Sequence, residues 1–382
     1  MERLHIAIIG STNSGKSTLV NAICGQEVAL VSPVPGTTTD PVRKAVELPG
    51  LGPCVLIDTA GLDDDSVLGP ERRRRTLAVL DEADVAVVLG TSPAPEGIPI
   101  VHYERGESIE SLLQRIAAVR PRETSRFLTG DLVQAGDTVL LVMPQDSEAP
   151  QGRLILPQVQ VIRELLDRGC TPLCCTPASL SSALASLKAL PALTITDASV
   201  FGTVHAALPP EAPLTAFSVL LAAAKGDIAA FVAGAQAIDR LTPRSRVLIA
   251  EACTHVPDTE DIGRVKIPEL IRKRICSKSE RNSERNKTRS SEANETLMID
   301  ISSGNDFPED LSRYDLIIHC GACMASRNLV RARTKKALLA GVPITNYGIA
   351  LAKLQGMLER IAIPGLSSSP RTSQSSASRN PA

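Results

Sequence analysis

The chain has no tryptophan, and only 2% of its 382 residues are aromatic. Stacking of bases or sugars on rings is therefore excluded as an organising theme. Excess charge is missing too: Lys plus Arg number 41 and Asp plus Glu 42, a net charge of -1. Without a global field there is no pull toward polyanions, so neither nucleic acid nor a membrane is expected as a partner. No apolar run reaches the roughly 18 residues of a membrane-span candidate. The opening MERLHIAIIG enters a strand within a few residues, which leaves no room for a cleavable leader; a cytoplasmic location is the expectation. Nine cysteines, an odd number, are too sparse for a disulfide framework. In a reducing compartment they read as buried thiols or metal ligands.

What is present is a repeating alternation of short apolar strands with helical patterns, the mark of parallel sheets built from βαβ units. Strands are expected near residues 4–9, 45–48, 54–57 and 85–89, then at 138–143, 171–175 and 193–196, then at 247–250, 316–318 and 343–345. This divides the chain into domains at 1–122, 123–243 and 244–364. A polar insertion, 276–296, rich in Ser, Arg, Asn and Glu, is expected to lack structure. The Ser-rich tail, 365–382, is expected to be disordered.

The strand HIAIIG runs into GSTNSGKST, Gly10 to Thr18, which fits G-x-x-x-x-G-K-[ST]. In such a loop Gly10 and Gly15 let backbone N–H groups of Ser14 and its neighbours curl around phosphates. Lys16 brings a point charge to the terminal phosphates, and Ser17 offers a hydroxyl to Mg²⁺. The helix that begins at Ser17 and Thr18 points its positive end at the same anion. After the apolar strand CVLI come Asp58, Thr59, Ala60 and Gly61, where a magnesium-side aspartate and a γ-phosphate-sensing glycine belong. Lys16 and Asp58 are thus the candidate catalytic residues. Between the two motifs lies PGTTTD, whose Thr37, Thr38 and Thr39 could close over the nucleotide, Thr38 on Mg²⁺.

Two further absences qualify this site. Leu62 follows Gly61, so no glutamine stands there to orient an attacking water, and hydrolysis should be slow. An N-K-x-D motif for reading guanine is missing after a late strand. ADVAVVLG leads almost directly to GIPIVHYERGESIESLLQRI, as if one strand and one helix were gone. The three motifs together resemble the Era and TrmE group of GTPases. That resemblance implies GTP as ligand and, through Asn13, a potassium ion in place of an arginine finger.

The last domain holds Cys253-Thr254-His255 after strand VLIAEA and His319-Cys320-Gly321-Ala322-Cys323 after strand LIIH. Both lie at carboxyl ends of expected parallel strands, the edge where open α/β sheets hold ligands. The donor set suits a structural zinc ion, and C-x-x-C alone suits redox chemistry. Two unrelated groups of buried cysteines are the plain alternative. An iron-sulfur cluster uses the set best, because three cysteines leave one iron for an exchangeable ligand such as His255, His319 or a carboxylate near Glu260.

The pattern C-x-H with a distant H-C-x-x-C, joined to the P-loop motifs, resembles the HydF family of di-iron hydrogenase maturation GTPases. GDLVQAGDTVLLVMPQDSEAPQGRLILPQVQ, EACTHVPDTEDIGRVKIP, DFPEDLSRYDLIIHCGACM and GVPITNYGIA carry the resemblance along nearly the whole chain. It implies an α/β protein of three domains: a shortened GTPase-like sheet, a dimerisation domain giving a homodimer, and a domain binding a 4Fe-4S cluster. Cys253, Cys320 and Cys323 become the cluster ligands, with His255 and His319 accessory. The implied partners are the FeFe hydrogenase apo-enzyme and two radical-SAM maturases. The interval from His255 to His319 is longer than the family's, and the polar insertion accounts for it. An Era-like regulatory GTPase with a structural zinc site is the competing function. Cys24, Cys54, Cys174 and Cys175 read as core residues, Cys276 as exposed, and the Arg72 to Arg75 run as a solvated face.

Overall fold

A strand covered on both faces is apolar at nearly every position, and runs such as HIAIIG, TVLLV and LIIH meet that demand. Each is an interior strand of one of the three sheets among the described residues. The structure is a computed structural model that describes residues 3–25, 41–61, 76, 78–90, 97–121, 127–145, 151–252, 261–286, 297–304, 306–323 and 325–366.

The first sheet contains β1 (Leu4–Gly10), β2 (Val42–Leu48), β3 (Gly52–Asp58), β4 (Val85–Leu89) and β5 (Ile100–Tyr103), in the order β2-β3-β1-β4-β5. Helix α1 (Lys16–Cys24) follows β1, and α2 (Ile109–Val119) follows β5. The sheet is parallel except for β2, which runs antiparallel to β3. Only Pro49, Gly50 and Leu51 join that pair, and so short a link permits no crossover.

The second sheet has order β7-β6-β8-β9, from β6 (Thr138–Val142), β7 (Thr171–Cys175), β8 (Leu193–Thr196) and β9 (Leu214–Ala216). Its helices are α3 (Leu156–Asp167), α4 (Leu180–Ala185), α5 (Phe201–Ala207), α6 (Phe217–Lys225) and α7 (Ile228–Ala235). The third has order β11-β10-β12-β13, from β10 (Arg246–Ala250), β11 (Met298–Ser302), β12 (Leu316–His319) and β13 (Ile344–Asn346). Helices α8 (Ile267–Asn286), α9 (Arg327–Leu339) and α10 (Tyr347–Leu354) belong to it. Both sheets are wholly parallel. Their strand orders are the same, and their last strand-helix segments read PLTAFSVLLAAAKG (213–226) and PITNYGIALAKLQG (343–356). The second and third units are copies of one design.

These copies face each other. One buried cluster joins Leu140, Val142, Leu214 and Val219 to Leu248, Ile317, Ile344 and Ile349. Helices α6 and α10 touch at equivalent positions: a Cβ on Gly348 would lie 2.4 Å from Ser218 Oγ. Each chain segment then crosses to the other sheet. Gly234 of α7 lies against the Ile344 carbonyl of β13, and Ile361 bridges to Leu214 of β9.

Helix α8 corrects the expectation of a structureless insertion. It continues to Asn286 because Ile267, Ile271 and Ile275 anchor its first turns in the core, and a nucleated helix propagates readily. Residues 287–296 lie outside the described residues, as does the tail from 367. The first unit meets the third through its turn at Asp81 to Asp84. Asn328 Nδ2 donates to Ala83 O at 2.9 Å and Asp84 Oδ1 at 2.8 Å, and Lys336 pairs with Asp81.

Candidate functional site

Gly10 ends β1 so close to the loop that a Cβ there would lie 2.5 Å from Ser14 Oγ. Asn13 (φ 61°) and Gly15 (φ 97°) take the left-handed conformation that turns the chain back before α1. Lys16 is buried, and its Nζ donates to Gly10 O at 3.1 Å and Ser11 O at 2.7 Å. Ser17 Oγ donates to Asp58 Oδ2 at 2.7 Å. Gly61 packs against Thr12, with room for no side chain: a Cβ would lie 2.2 Å from Thr12 Oγ1 and 2.6 Å from Thr12 N. Thus Gly10 to Thr18, Asp58 and Gly61, distant in sequence, form one site; Asn13 and Thr18 are exposed on it.

The donor chemistry fits a cation beside the phosphates. Asp58 Oδ1 and Ser14 Oγ are buried without a hydrogen-bond partner, and the other Asp58 oxygen holds the Ser17 hydroxyl. Burial pushes the Asp58 carboxyl above its ordinary pKa, against the opposing pull of the Ser17 hydrogen bond and the Lys16 charge. A divalent cation would restore its preference for the charged form. Thr37, Thr38, Thr39, Leu62 and Arg72 to Arg75 lie outside the described residues.

The second constellation sits where β10 and β12 end side by side, Ala250 in register with His319. Cys320 N donates to Ala250 O at 2.9 Å. In return the Cys320 Sγ accepts the N–H of Ala252 at 3.1 Å and of Ala322 at 3.4 Å. Two N–H donors aimed at one sulfur favour its anionic form, the form that binds metal. Cys323 is likewise partly exposed, while Ala322 between them is buried at φ 50°. A left-handed residue with a Cβ costs roughly 1–2 kcal/mol, so surrounding contacts must hold it. Lys225, from the end of α6 in the second unit, supplies them. Its buried Nζ donates to Ala322 O at 2.8 Å, Ala325 O at 2.9 Å and Cys323 O at 3.3 Å.

His319 is fully buried. Its Nδ1–H donates to Cys320 O at 2.9 Å, and its Nε2 faces Arg333 Nη1 at 3.3 Å. Burial, aided by the Arg333 charge, holds its pKa down to about 4. Both ring nitrogens are engaged, so in this arrangement it supports the loop instead of offering a ligand. Asn346 Nδ2 also donates to Cys320 O, at 3.0 Å. Arg333 reaches Glu251 O at 3.2 Å and stacks 5.0 Å over Phe307. Cys253, His255 and Glu260 lie outside the described residues. Among the described residues no group of three or more His, Cys, Asp or Glu side chains is arranged to hold a metal.

Sequence reasoning missed Lys225, which sits in an apolar helix and reads as its C-terminal charge. The signal was the internal repeat, in which Lys225 aligns with Gln355. Cys174 departs from the expected core role: it is exposed, whereas its neighbour Cys175 packs on the core. Cys24 is only half-buried, Cys54 is buried and Cys276 exposed.

Three family models match the chain in succession. A 50S ribosome-binding GTPase model matches residues 5–123, a hydrogen maturase F dimerization domain 128–226, and a hydrogen maturase F tetramerization domain 229–296 and 287–364. Among curated relatives, the tRNA modification GTPase MnmE of Methylobacterium sp. (strain 4-46) is 36% identical over 143 residues, 31% of this chain and 32% of that one. GTPase Der of Caldicellulosiruptor saccharolyticus is 43% identical over 101 residues, 25% of this chain and 23% of its own. The chain spans under a third of the length of these relatives. Of solved structures, Aquifex aeolicus Era bound to GDP.AlF4- shows 17% identity and a TM-score of 0.29, covering 48% of this chain and 98% of that one.

Proposed function

The chain belongs to the hydrogen maturase F family, and from that premise we propose that it is a scaffold or carrier whose third unit binds a 4Fe-4S cluster. On this reading it holds a di-iron precursor, assembled with two radical-SAM maturases, for delivery to an FeFe hydrogenase apo-enzyme. As a hydrogenase maturation GTPase it uses GTP and Mg²⁺ at its first unit. Lys16, Ser17 and Asp58 are assigned to phosphates and metal there, with Thr38 closing from the switch segment and Asn13 on a potassium ion. The dimerization and tetramerization domains support assembly with like chains, and a homodimer is the proposed unit.

One observation carries the cluster assignment. The Cys320 sulfur sits at the carboxyl rim of the sheet under two backbone N–H donors, one of them Ala252, the residue that precedes Cys253 in the chain. Covalent continuity thus leads from the rim directly into the C-x-H segment, and Cys323 follows from the same loop. Cys253, Cys320 and Cys323 are assigned as ligands and His255 as the exchangeable one, with His319 kept to positioning. When bound, the cluster supplies an open iron position for attaching cargo.

Anaerobic reconstitution followed by iron and acid-labile sulfide analysis tests the reading. About four of each per chain is the expected outcome for a cubane centre. Zinc as the only retained metal overturns it and transfers the site to structural zinc.

A further inference from the structure

Lys225 is the one buried cation through which the second unit enters the cysteine loop among the described residues, and its position follows from the internal duplication. The end of each repeat's last helix points at the loop after the third strand of the other unit. Gln355, at the end of α10, lines a groove with Ala198 and Ser199, just past β8. Lys225, at the equivalent point of α6, meets Ala322, Cys323 and Ala325, just past β12. Only one of the two loops carries cysteines, and that loop is the one given a lysine. An ammonium has three donors and no acceptor, and here three backbone carbonyls converge on it. A glutamine cannot serve three carbonyls, nor bring a charge.

We infer that Lys225 is a positioning residue for the metal site: it clamps the Cys320 to Ala325 loop from the neighbouring unit and places a fixed positive charge beneath an anionic thiolate centre. The role rests on the cluster reading for the identity of the metal, though not for the clamp itself. The clamp holds Ala322 in its left-handed turn, which keeps the Ala322 N–H on the Cys320 sulfur. The charge lies beside the carbonyl of Cys323 and favours the reduced cluster, which carries one more negative charge than the oxidised one.

The test uses the full chain, wild type and Lys225→Met, which keeps the stem and removes charge and donors. In the metal-free protein, hydrogen exchange of peptides spanning 320–326 is expected to be at least tenfold faster in the variant. In the iron-reconstituted protein, iron release to a chelator is expected to quicken by a similar factor. The reduction potential is expected to move to a more negative value, which a merely structural role would not produce. Lys225→Arg, which retains charge, should restore the potential more than the exchange protection. If Lys225→Met does not fold, Lys225→Gln gives the same comparison with a neutral donor. Equal loop exchange and equal iron release in wild type and variant would overturn the inference. A wild type that retains zinc and no iron removes the cluster reading alone, since loop exchange and zinc release still report the clamp.

Discussion

The second and third units differ little in architecture and sharply in chemistry. Met143, just past β6, donates its N–H to Cys175 O at 2.9 Å, and Glu251, just past β10, donates to Ser302 O at 2.8 Å. The rims are built alike. Past β8 stands Asp197, which accepts from the buried Gln158 Nε2 at 2.9 Å; past β12 stands Cys320 beneath two N–H donors. One rim is closed by a side-chain amide, the other left with a half-exposed thiol. A duplicated parallel sheet presents its switch point twice, and on the proposed reading a handful of rim residues decides which copy takes the ligand.

The largest effect should come from exchanging fates at the equivalent positions. Cys320→Ala is expected to abolish stable iron binding after reconstitution, while Asp197→Ala leaves the iron content at the wild-type value. The aspartate variant should instead lose about 1–3 kcal/mol of stability, because Gln158 would be left buried without that partner. Iron analysis and urea unfolding of both variants check the pair. Equal iron loss in the two would mean that the rims are not chemically distinct.

Much of this was legible in the sequence, for reasons particular to each element. The P-loop reads directly because Gly10 to Thr18 act within one strand-loop-helix turn. Strands such as LIIH read well because burial on both faces leaves them apolar throughout. β9 is only three residues long and β11 exposes Met298 and Ile301 at a sheet edge, so neither makes an apolar run. Polarity beyond Ser277 concealed the continuation of α8, whose order comes from isoleucines upstream. His319 stood beside cysteines and read as an accessory ligand; its full burial and the engagement of both ring nitrogens, by Cys320 O and by Arg333 from α9, are not written in that pattern. Lys225 is invisible to motif reading since its partners are carbonyls about a hundred residues onward, and only its alignment with Gln355 in the repeat marks the position.

The crossing segments offer the next test of how tightly the copies are joined. Gly234→Ala places a Cβ 2.0 Å from Ile344 O, a backbone atom of β13 that cannot yield without moving the strand. A loss of about 3 kcal/mol is expected, well beyond the helical gain of alanine over glycine. The urea midpoint measures it, and a neutral result would mean that α7 and β13 can slide apart.

The smallest effect belongs to the contact at the repeat's own axis, where Ser218 of α6 meets Gly348 of α10. Gly348→Ala would bring a Cβ to 2.4 Å from Ser218 Oγ, 2.9 Å from its Cβ and 3.0 Å from its carbonyl carbon. The hydroxyl can rotate away, but the backbone carbon cannot, so a cost of about 1–2 kcal/mol follows. Ser218→Ala should act in the opposite direction. Its hydroxyl is buried without a hydrogen-bond partner, and removing it is expected to stabilise the chain by up to about 1 kcal/mol. Because the two positions touch, the double variant should fall short of additivity by about 0.5 kcal/mol or more, the hydroxyl part of the clash having been removed. Urea unfolding of the two single variants and the double variant closes the cycle; strict additivity would show that the helices already part at this point, and that the two units are held together elsewhere.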